Sequence, residues 1–268
     1  MKRHSFFQTI SLYHFLMSFS RLLRLLLPVV LFSSCSIKEN RAVCPCALTL
    51  ELTGLPVSPV VLGVAGEGYS FVEVVHTDTA LVLPVPKGEL AVSAVGGALA
   101  EGDGSVRIPL GEEAPPLYLF HADISTASSE QLILPILLHK QYCGLELHFT
   151  GPPGYGPPFE VEVEGTVGGW LPDGSPSAGP FSRHLLPGAD GRAVIRLPRQ
   201  SDDSLLMHIV FSDQVVRTFA LGSYIAASGY DWTASDLEDL TLQVDISLTS
   251  VKLSTDLWTT TEDIELWI

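Results

Sequence analysis

The chain has 268 residues, 46% hydrophobic and 17% charged, with 15 basic against 30 acidic residues and a formal net charge of -15. Such an acidic excess excludes a nucleic-acid partner, because phosphate binding calls for clustered Lys and Arg; it suits an exposed protein that must stay soluble. The length is enough for an export segment and two domains of about 100 residues each.

Residues 1–34 carry Lys2, Arg3, Arg21 and Arg24, no acidic residue, and then the apolar run LLLPVVLF ahead of Ser33-Ser34-Cys35. A positive segment, a short apolar stretch and small residues, in that order, read as a removable export signal. The run falls short of the roughly 20 residues that a spanning helix needs, and Pro28 interrupts it. A cysteine just after the small residues resembles a bacterial lipobox, which implies that the Cys35 thiol is joined to diacylglycerol and that Cys35 becomes the new N-terminus. Phe32 stands where a lipobox usually has leucine, with Leu31 one place earlier. The positive segment is long, but a start at Met17 leaves MSFSRLLRLLLPVVLFSSC, a signal of ordinary proportions. Residues 1–34 hold four of the 15 basic residues and none of the 30 acidic ones, so the remainder is more acidic than the whole.

The stretch CALTLELTG at 46–54 has a near-copy in CGLELHFTG at 143–151. Cys46/Cys143, Leu48/Leu145, Leu50/Leu147, Thr53/Thr150 and Gly54/Gly151 are identical, and Leu52/Phe149 are both apolar. Alternation places Leu48, Leu50 and Leu52 on one face of a strand and Thr49 and Glu51 on the other, so each copy is expected to open its own half-buried sheet. Cys44 and Cys46 are too close along one strand to pair comfortably, while either could pair with Cys143 and leave a spare thiol. A metal site is disfavoured, since C-P-C with one distant cysteine lacks the paired knuckles of a zinc module.

Beyond Cys46 the chain reads as short strands punctuated by Gly, Pro and Asp-Gly. VVLGVA (60–65), SFVEVV (70–75), ALVLPV (80–85) and LAVSAV (90–95) recur about every ten residues, the spacing of a β-sandwich. SVRIPL (105–110), LYLFHADIS (117–125) and QLILPILLHK (131–140) follow, the last read as strand despite Pro135. After the second copy come FEVEVEGTV (159–167), AVIRL (193–197), LLMHIVF (205–211) and VVRTFAL (215–221). The halves correspond in order: repeat strand, proline-rich turn, V-x-V strand, and later Ile108-Pro109 or Leu197-Pro198 before another apolar strand. GGWLPDGSPSAGP (168–180) is a loop by composition. A short helix is expected at 233–239, where Thr233 or Ser235 can cap and Asp236, Glu238 and Asp239 favour the positive end; alternation resumes at Leu242, Val244, Ile246 and Leu248.

No catalytic constellation stands out. His76, His121, His139, His148, His184 and His208 are scattered and form no ligand pair, and there is no nucleophile elbow, P-loop or dinucleotide fingerprint. GVAGEG (63–68) is not followed by a helix, which disfavours a phosphate cradle. Glu160, Glu162 and Glu164 alternate with apolar residues as a solvated face, and Asp173-Gly174 lacks the remaining ligands of a calcium loop. The residues point to no enzyme, metal or cofactor.

Residues 221–258 carry Leu221-Gly222-Ser223-Tyr224, Gly229-Tyr230-Asp231-Trp232, the acidic stretch Asp236–Asp239, the alternating run Leu242–Leu248 and a closing Trp258. With Cys35 and Cys44-Pro45 ahead of the first strand, this pattern resembles the fimbrial anchor lipoproteins of Bacteroidetes, the FimB-like subunits of type V pili. The resemblance implies an all-β chain of two tandem transthyretin-like β-sandwich domains with at most one or two short helices, at 35–140 and 141–268 after a signal at 1–34. It implies a lipid-anchored, surface-exposed outer-membrane protein that anchors or terminates a pilus, contributes to adhesion and meets other fimbrial subunits by β-strand addition. In related shaft subunits a trypsin-like protease removes the first strand and a neighbour's strand fills the groove. Anchor subunits keep theirs, and here Ala42 through Pro86 contains no Lys or Arg, so Leu48, Leu50 and Leu52 are expected to stay in place. The closing TTTEDIELWI alternates Ile264, Leu266 and Ile268 with Glu265 and Trp267; it suits either a donated strand or the last strand of the chain's own second sandwich. The alternative function is a surface glycan-binding lipoprotein, with Trp170 in its Gly-rich loop as the aromatic platform.

Overall fold

The two copies of the repeat occupy equivalent places in a duplicated topology. In the computed structural model, which describes residues 44–76, 79–98, 105–151, 158–212, 216–246 and 251–252, β1 (Cys46–Glu51) lies between β4 (Leu81–Val85), antiparallel, and β8 (Gln131–Pro135), parallel. The second copy, β10 (Tyr142–Thr150), lies between β13 (Arg192–Pro198), antiparallel, and β16 (Leu240–Asp245), parallel. Leu48 stands opposite Leu83 and Leu132, and its counterpart Leu145 opposite Ile195 and Leu240.

The remaining sheets match in the same way. β2 (Val60–Gly66) is central to β3 (Tyr69–Val75) and β5 (Glu89–Gly96), with β7 (Tyr118–Ser125) beyond β5 and the short β9 (His139–Lys140) after it. β11 (Phe159–Trp170) is central to β12 (Pro176–Leu185) and β14 (Leu206–Phe211), with β15 (Val216–Phe219) beyond β14. The order 4-1-8 with 3-2-5-7 therefore recurs as 13-10-16 with 12-11-14-15. By this topology β13 is the counterpart of β4, which corrects the pairing of Leu197-Pro198 with Ile108-Pro109.

Each pair of sheets buries its alternating faces in a shared core, a β-sandwich arrangement. Cys46, Leu48, Leu50 and Leu52 join Val60, Leu62, Val64, Val85 and Val92 in the first. Cys143, Leu145, Leu147 and Phe149 join Val161, Val163, Ile195, Met207 and Leu242 in the second. Val106, Ile108, Ala114 and Leu117 also pack into the second core. β6 (Val106–Arg107) pairs with the far end of β11, and Glu113 meets Arg196 at 2.5 Å.

Two expectations are corrected. The segment 168–180 is mostly strand: β11 continues to Trp170, β12 starts at Pro176, and only Leu171–Ser175 turns, closed by Leu171 N–H donating to the Ser175 carbonyl at 2.8 Å. Its glycines serve bulged, close-packed strands. A Cβ on Gly169 would stand 2.1 Å from the Val106 carbonyl oxygen, and the β11/β12 register shifts twice beyond Gly165. The helix lies upstream of the acidic stretch, as α1 (Leu221–Ala227), which buries Leu221, Tyr224 and Ile225 at helical spacing. Gly222 is required there because a Cβ would meet the Asp203 carbonyl oxygen at 2.2 Å. QLILPILLHK is strand on both sides of a break, β8 ending at Pro135 on the edge of its sheet and β9 resuming at His139.

Residues 1–43, with Met17 and Cys35, and residues 253–268, with Trp258, Ile264, Leu266 and Ile268, lie outside the described residues.

Leu50 has no exposed surface. Leu50→Ala is expected to lower the free energy of unfolding by about 2–5 kcal/mol through lost burial and a residual cavity, and Thr49→Ala, on the outward face of the same strand, by under about 1 kcal/mol. Urea unfolding of both variants beside the parent measures the contrast.

Candidate binding surface

The seat of β1 is the first feature of interest. Leu48, Leu50 and Leu52 are fully buried, and the strand is hydrogen-bonded on both sides. On the β8 side, Ala47 N–H donates to the Glu130 carbonyl at 2.8 Å and Ile136 N–H to the Glu51 carbonyl at 2.9 Å. Without β1, the partner strands β4 and β8 would border a slot lined by leucines. Both partners are edge strands, and each contains a proline, Pro84 or Pro135, a residue that blunts an edge against further pairing. On the outer face Val82, Thr49 and Ile133 line up across the three strands, with Val82 61% and Ile133 62% exposed.

The second feature is a clamp around the Gly229-Tyr230-Asp231-Trp232 segment, built on Arg199 just after β13. Arg199 is 9% exposed. Its Nε donates to Gln141 Oε1 at 2.9 Å, and the guanidinium donates to the carbonyls of Trp232, Ala234 (2.8 Å) and Ser235 (3.2 Å). Burial lowers its pKa, opposed by the nearby Tyr230, Asp231 and Asp236. A buried cation is tolerated when its donors are turned onto acceptors, and here three of the four acceptors are carbonyls of one loop, the fourth being Gln141.

The acids expected to favour a helix brace this loop to the neighbouring strands instead. Asp236 accepts from the Lys140 amide at 2.7 Å and meets His139 Nδ1 at 2.9 Å; Asp239 Oδ1 accepts from Lys140 Nζ and the Gly144 amide, both at 2.6 Å. Asp231 Oδ1 accepts the Thr233 amide (2.8 Å) and hydroxyl (2.6 Å). Short polar side chains that bind nearby backbone compete with helix formation, and residues 232–236 accordingly form turns and bends, with 237–239 irregular. Burial pushes the Asp236 carboxyl up, but the bonds from His139 and Lys140 and the charges of His139 and Arg199 outweigh it and hold it below the ordinary carboxylate value.

Against this loop lies a cleft of about 460 Å³, with Pro176, Asp202, Trp232 and Thr233 among its walls. Trp232 is half-buried; its ring meets Tyr230 edge-on, centroids 4.7 Å apart, and the Tyr230 hydroxyl donates to the Glu238 carbonyl at 2.7 Å. Trp170, the aromatic platform read from the sequence, is 1% exposed inside the second core and has no surface to offer a ligand.

Other sequence candidates are dispersed. Glu160 and Glu164 are exposed and Glu162 is half-buried on the outward face of β11, in contact with His184 (3.1 Å), His208 (3.5 Å) and Ser182 (2.7 Å) respectively. His148 pairs with Glu146, His121 with Asp123 and His139 with Asp236. Asp173 is occupied by the amide and hydroxyl of Ser175. Among the described residues no group of three or more His, Cys, Asp or Glu is placed to share a metal ion.

The disulfide between either early cysteine and Cys143 is not formed. Cys44 is exposed, Cys46 lies in the first core and Cys143 in the second, all as free thiols. The duplication that makes Cys46 and Cys143 equivalent also sends them into different cores. Burial pushes the Cys143 thiol up to about 12, against a lowering hydrogen bond with Tyr230.

The fold thus defines a class: a mostly antiparallel β-sandwich protein with one short helix among the described residues and an internally repeated strand order. Several solved structures share it. One from Bacteroides thetaiotaomicron, provisionally assigned to polysaccharide binding, matches with a TM-score of 0.62 at 13% identity over 82% of this chain and 98% of its own. A provisionally assigned adhesin from Bacteroides ovatus matches at 0.59 with 13% identity over 82% and 96%. A fimbrial anchor protein from Porphyromonas gingivalis matches at 0.58 with 13% identity over 80% and 98%. No protein-family model matches the chain, and no curated protein does.

Two outcomes are expected from this chemistry. In the full chain carrying Cys35→Ala, iodoacetamide should modify only Cys44 under native conditions and all three of Cys44, Cys46 and Cys143 after unfolding, because Cys46 and Cys143 are buried away from the reagent; mass spectrometry of the alkylated peptides reads this directly. For Asp236, whose folded pKa is lowered, the stabilising contribution is fully present above the unfolded value near about 3.9 and is lost as pH falls through the folded value. Its exposure keeps the effect small. Urea midpoints should therefore fall less between pH 5 and pH 3 (about one unit either side of that value) in Asp236→Asn than in the parent.

Proposed function

We propose that this chain is a non-enzymatic cell-surface adhesion protein of the fimbria-associated kind, built of two tandem transthyretin-like domains at 35–140 and 141–268 and held at the outer membrane by a lipid on Cys35. The adhesive reading is supported by the shared fold with structures described as an adhesin and a fimbrial anchor. The finer reading, an anchoring or terminating subunit, rests on two observations: β1 is hydrogen-bonded on both sides with three fully buried leucines, and no Lys or Arg lies from Ala42 through Pro86 for a trypsin-like protease to use. A subunit that keeps this strand has no open groove for a neighbour's strand. Its remaining route into a filament by strand addition is donation, for which Ile264, Leu266 and Ile268 are the candidates.

A second reading, capture of a surface polysaccharide, is favoured by the walls of the Trp232 cleft and by the polysaccharide assignment of the Bacteroides thetaiotaomicron structure.

The mature protein isolated from cell envelopes should begin at an acylated Cys35 and retain residues 46–54, and Cys35→Ala should move it out of the membrane fraction, since acyl chains are the anchor in this reading. Intact-mass and N-terminal peptide analysis decide the first point. A mature chain beginning beyond Thr53 would mark a processed, polymerising subunit instead.

A further inference from the structure

We propose that the cleft walled by Trp232 is a binding site for a short neutral saccharide. The inference deepens the polysaccharide reading and rests on it, because it says where the ligand sits and which class it belongs to. At about 460 Å³ the cleft falls within the range of about 300–1,000 Å³ usual for small-molecule sites. Its walls bring the apolar side chains of Trp232, Pro176 and Ala226 together with the polar residues Thr233, Asp202 and Asp203. A sugar ring has the complementary make-up: flat C–H faces that cover apolar and aromatic surface, and a girdle of hydroxyls that donate to carboxylates and side-chain oxygens.

Trp232 is fixed before any ligand arrives. Its carbonyl is held by Arg199, its ring is set edge-on against Tyr230, and the flanking residues are tied by Asp231. A wall held by its own chain has little ordering left to do on binding.

Charge selects the class of sugar. The Arg199 side chain is turned onto Gln141 and three backbone carbonyls. Asp202 is ionised at neutral pH, held below the ordinary carboxylate value by the Ser204 hydroxyl and amide, and Asp203 accepts from the Ser223 hydroxyl at 3.3 Å. An anionic sugar would bring its charge against these carboxylates in a chain of net charge -15, which disfavours sialylated, uronic and sulfated glycans.

The experiment titrates the full-length chain, as the parent and as Ala226→Trp and Trp232→Leu, with maltotriose, mannotriose, chitotriose and sialyllactose, by calorimetry and tryptophan fluorescence. Insoluble starch, mannan and chitin serve as pull-down matrices. Ala226 is exposed on α1, so Ala226→Trp fills the cleft without entering the core, and a thermal melt checks each fold. The expected result is binding of at least one neutral trisaccharide, weakened by about tenfold or more in both variants, with sialyllactose failing to bind. Preference for sialyllactose overturns the neutral class. Neutral-sugar binding that survives Ala226→Trp overturns the cleft while leaving the polysaccharide reading standing, and failure of every trisaccharide and matrix removes both.

Discussion

Parallel pairing between an early strand and a late one is the constraint on which both halves of the chain depend. β1 meets β8 across 84 residues (Ala47 to Gln131), and β10 meets β16 across 95 (Leu145 to Leu240). Parallel neighbours cannot be joined by a tight turn, so all the strands between must be laid down before either sheet can close. In return the central strand gains hydrogen bonds on both edges and a fully buried face. The loop-closure entropy is recovered only when this last pairing forms, which makes the repeat strands the elements that convert an open set of hairpins into a sandwich.

The same constraint explains what could be read from the sequence. Leu48-x-Leu50-x-Leu52 and Leu145-x-Leu147-x-Phe149 alternate because one face is buried and the other is not, and period-two burial is the strongest strand signal a sequence carries. β12 was illegible because Pro176-Ser177-Ala178-Gly179-Pro180 packs as a bulged edge strand, where small residues answer to close backbone approach instead of a core. The misplaced helix has a similar cause. Asp236 and Asp239 have the composition of a helix N-terminus, but their partners are the amides of Lys140 and Gly144, nearly a hundred residues earlier. Nothing local announces such a contact. Trp170 was misread because a tryptophan among glycines looks exposed, whereas Gly169 lets β6 approach closely enough to help bury it.

Arg199 shows how the candidate site is assembled from pieces with no motif of their own. Leu197-Pro198-Arg199-Gln200 reads as the end of a strand, yet its arginine gathers three carbonyls of a loop more than thirty residues away. Desolvating a guanidinium is costly unless its donors are satisfied, so the loop conformation and the buried cation stabilise one another. The Gly229-Tyr230-Asp231-Trp232 segment could be noticed in the sequence as a signature, but its part in shaping a cleft depended on a residue outside it.

The two proposed roles draw on separate parts of the chain and do not compete. A retained β1 satisfies its backbone edges and buries its leucines, which leaves that sheet no vacancy through which to recognise anything by strand addition. Recognition by such a subunit must then run through side-chain surfaces or through a strand it donates. The Trp232 cleft is formed wholly by the second half, from the ends of β12, β13 and α1 and the loop that Arg199 holds, and none of these elements pairs with β1. Closing the first sheet with its own strand therefore takes nothing from the cleft. An adhesion protein that ends a filament can keep one half sealed and use the other to bind.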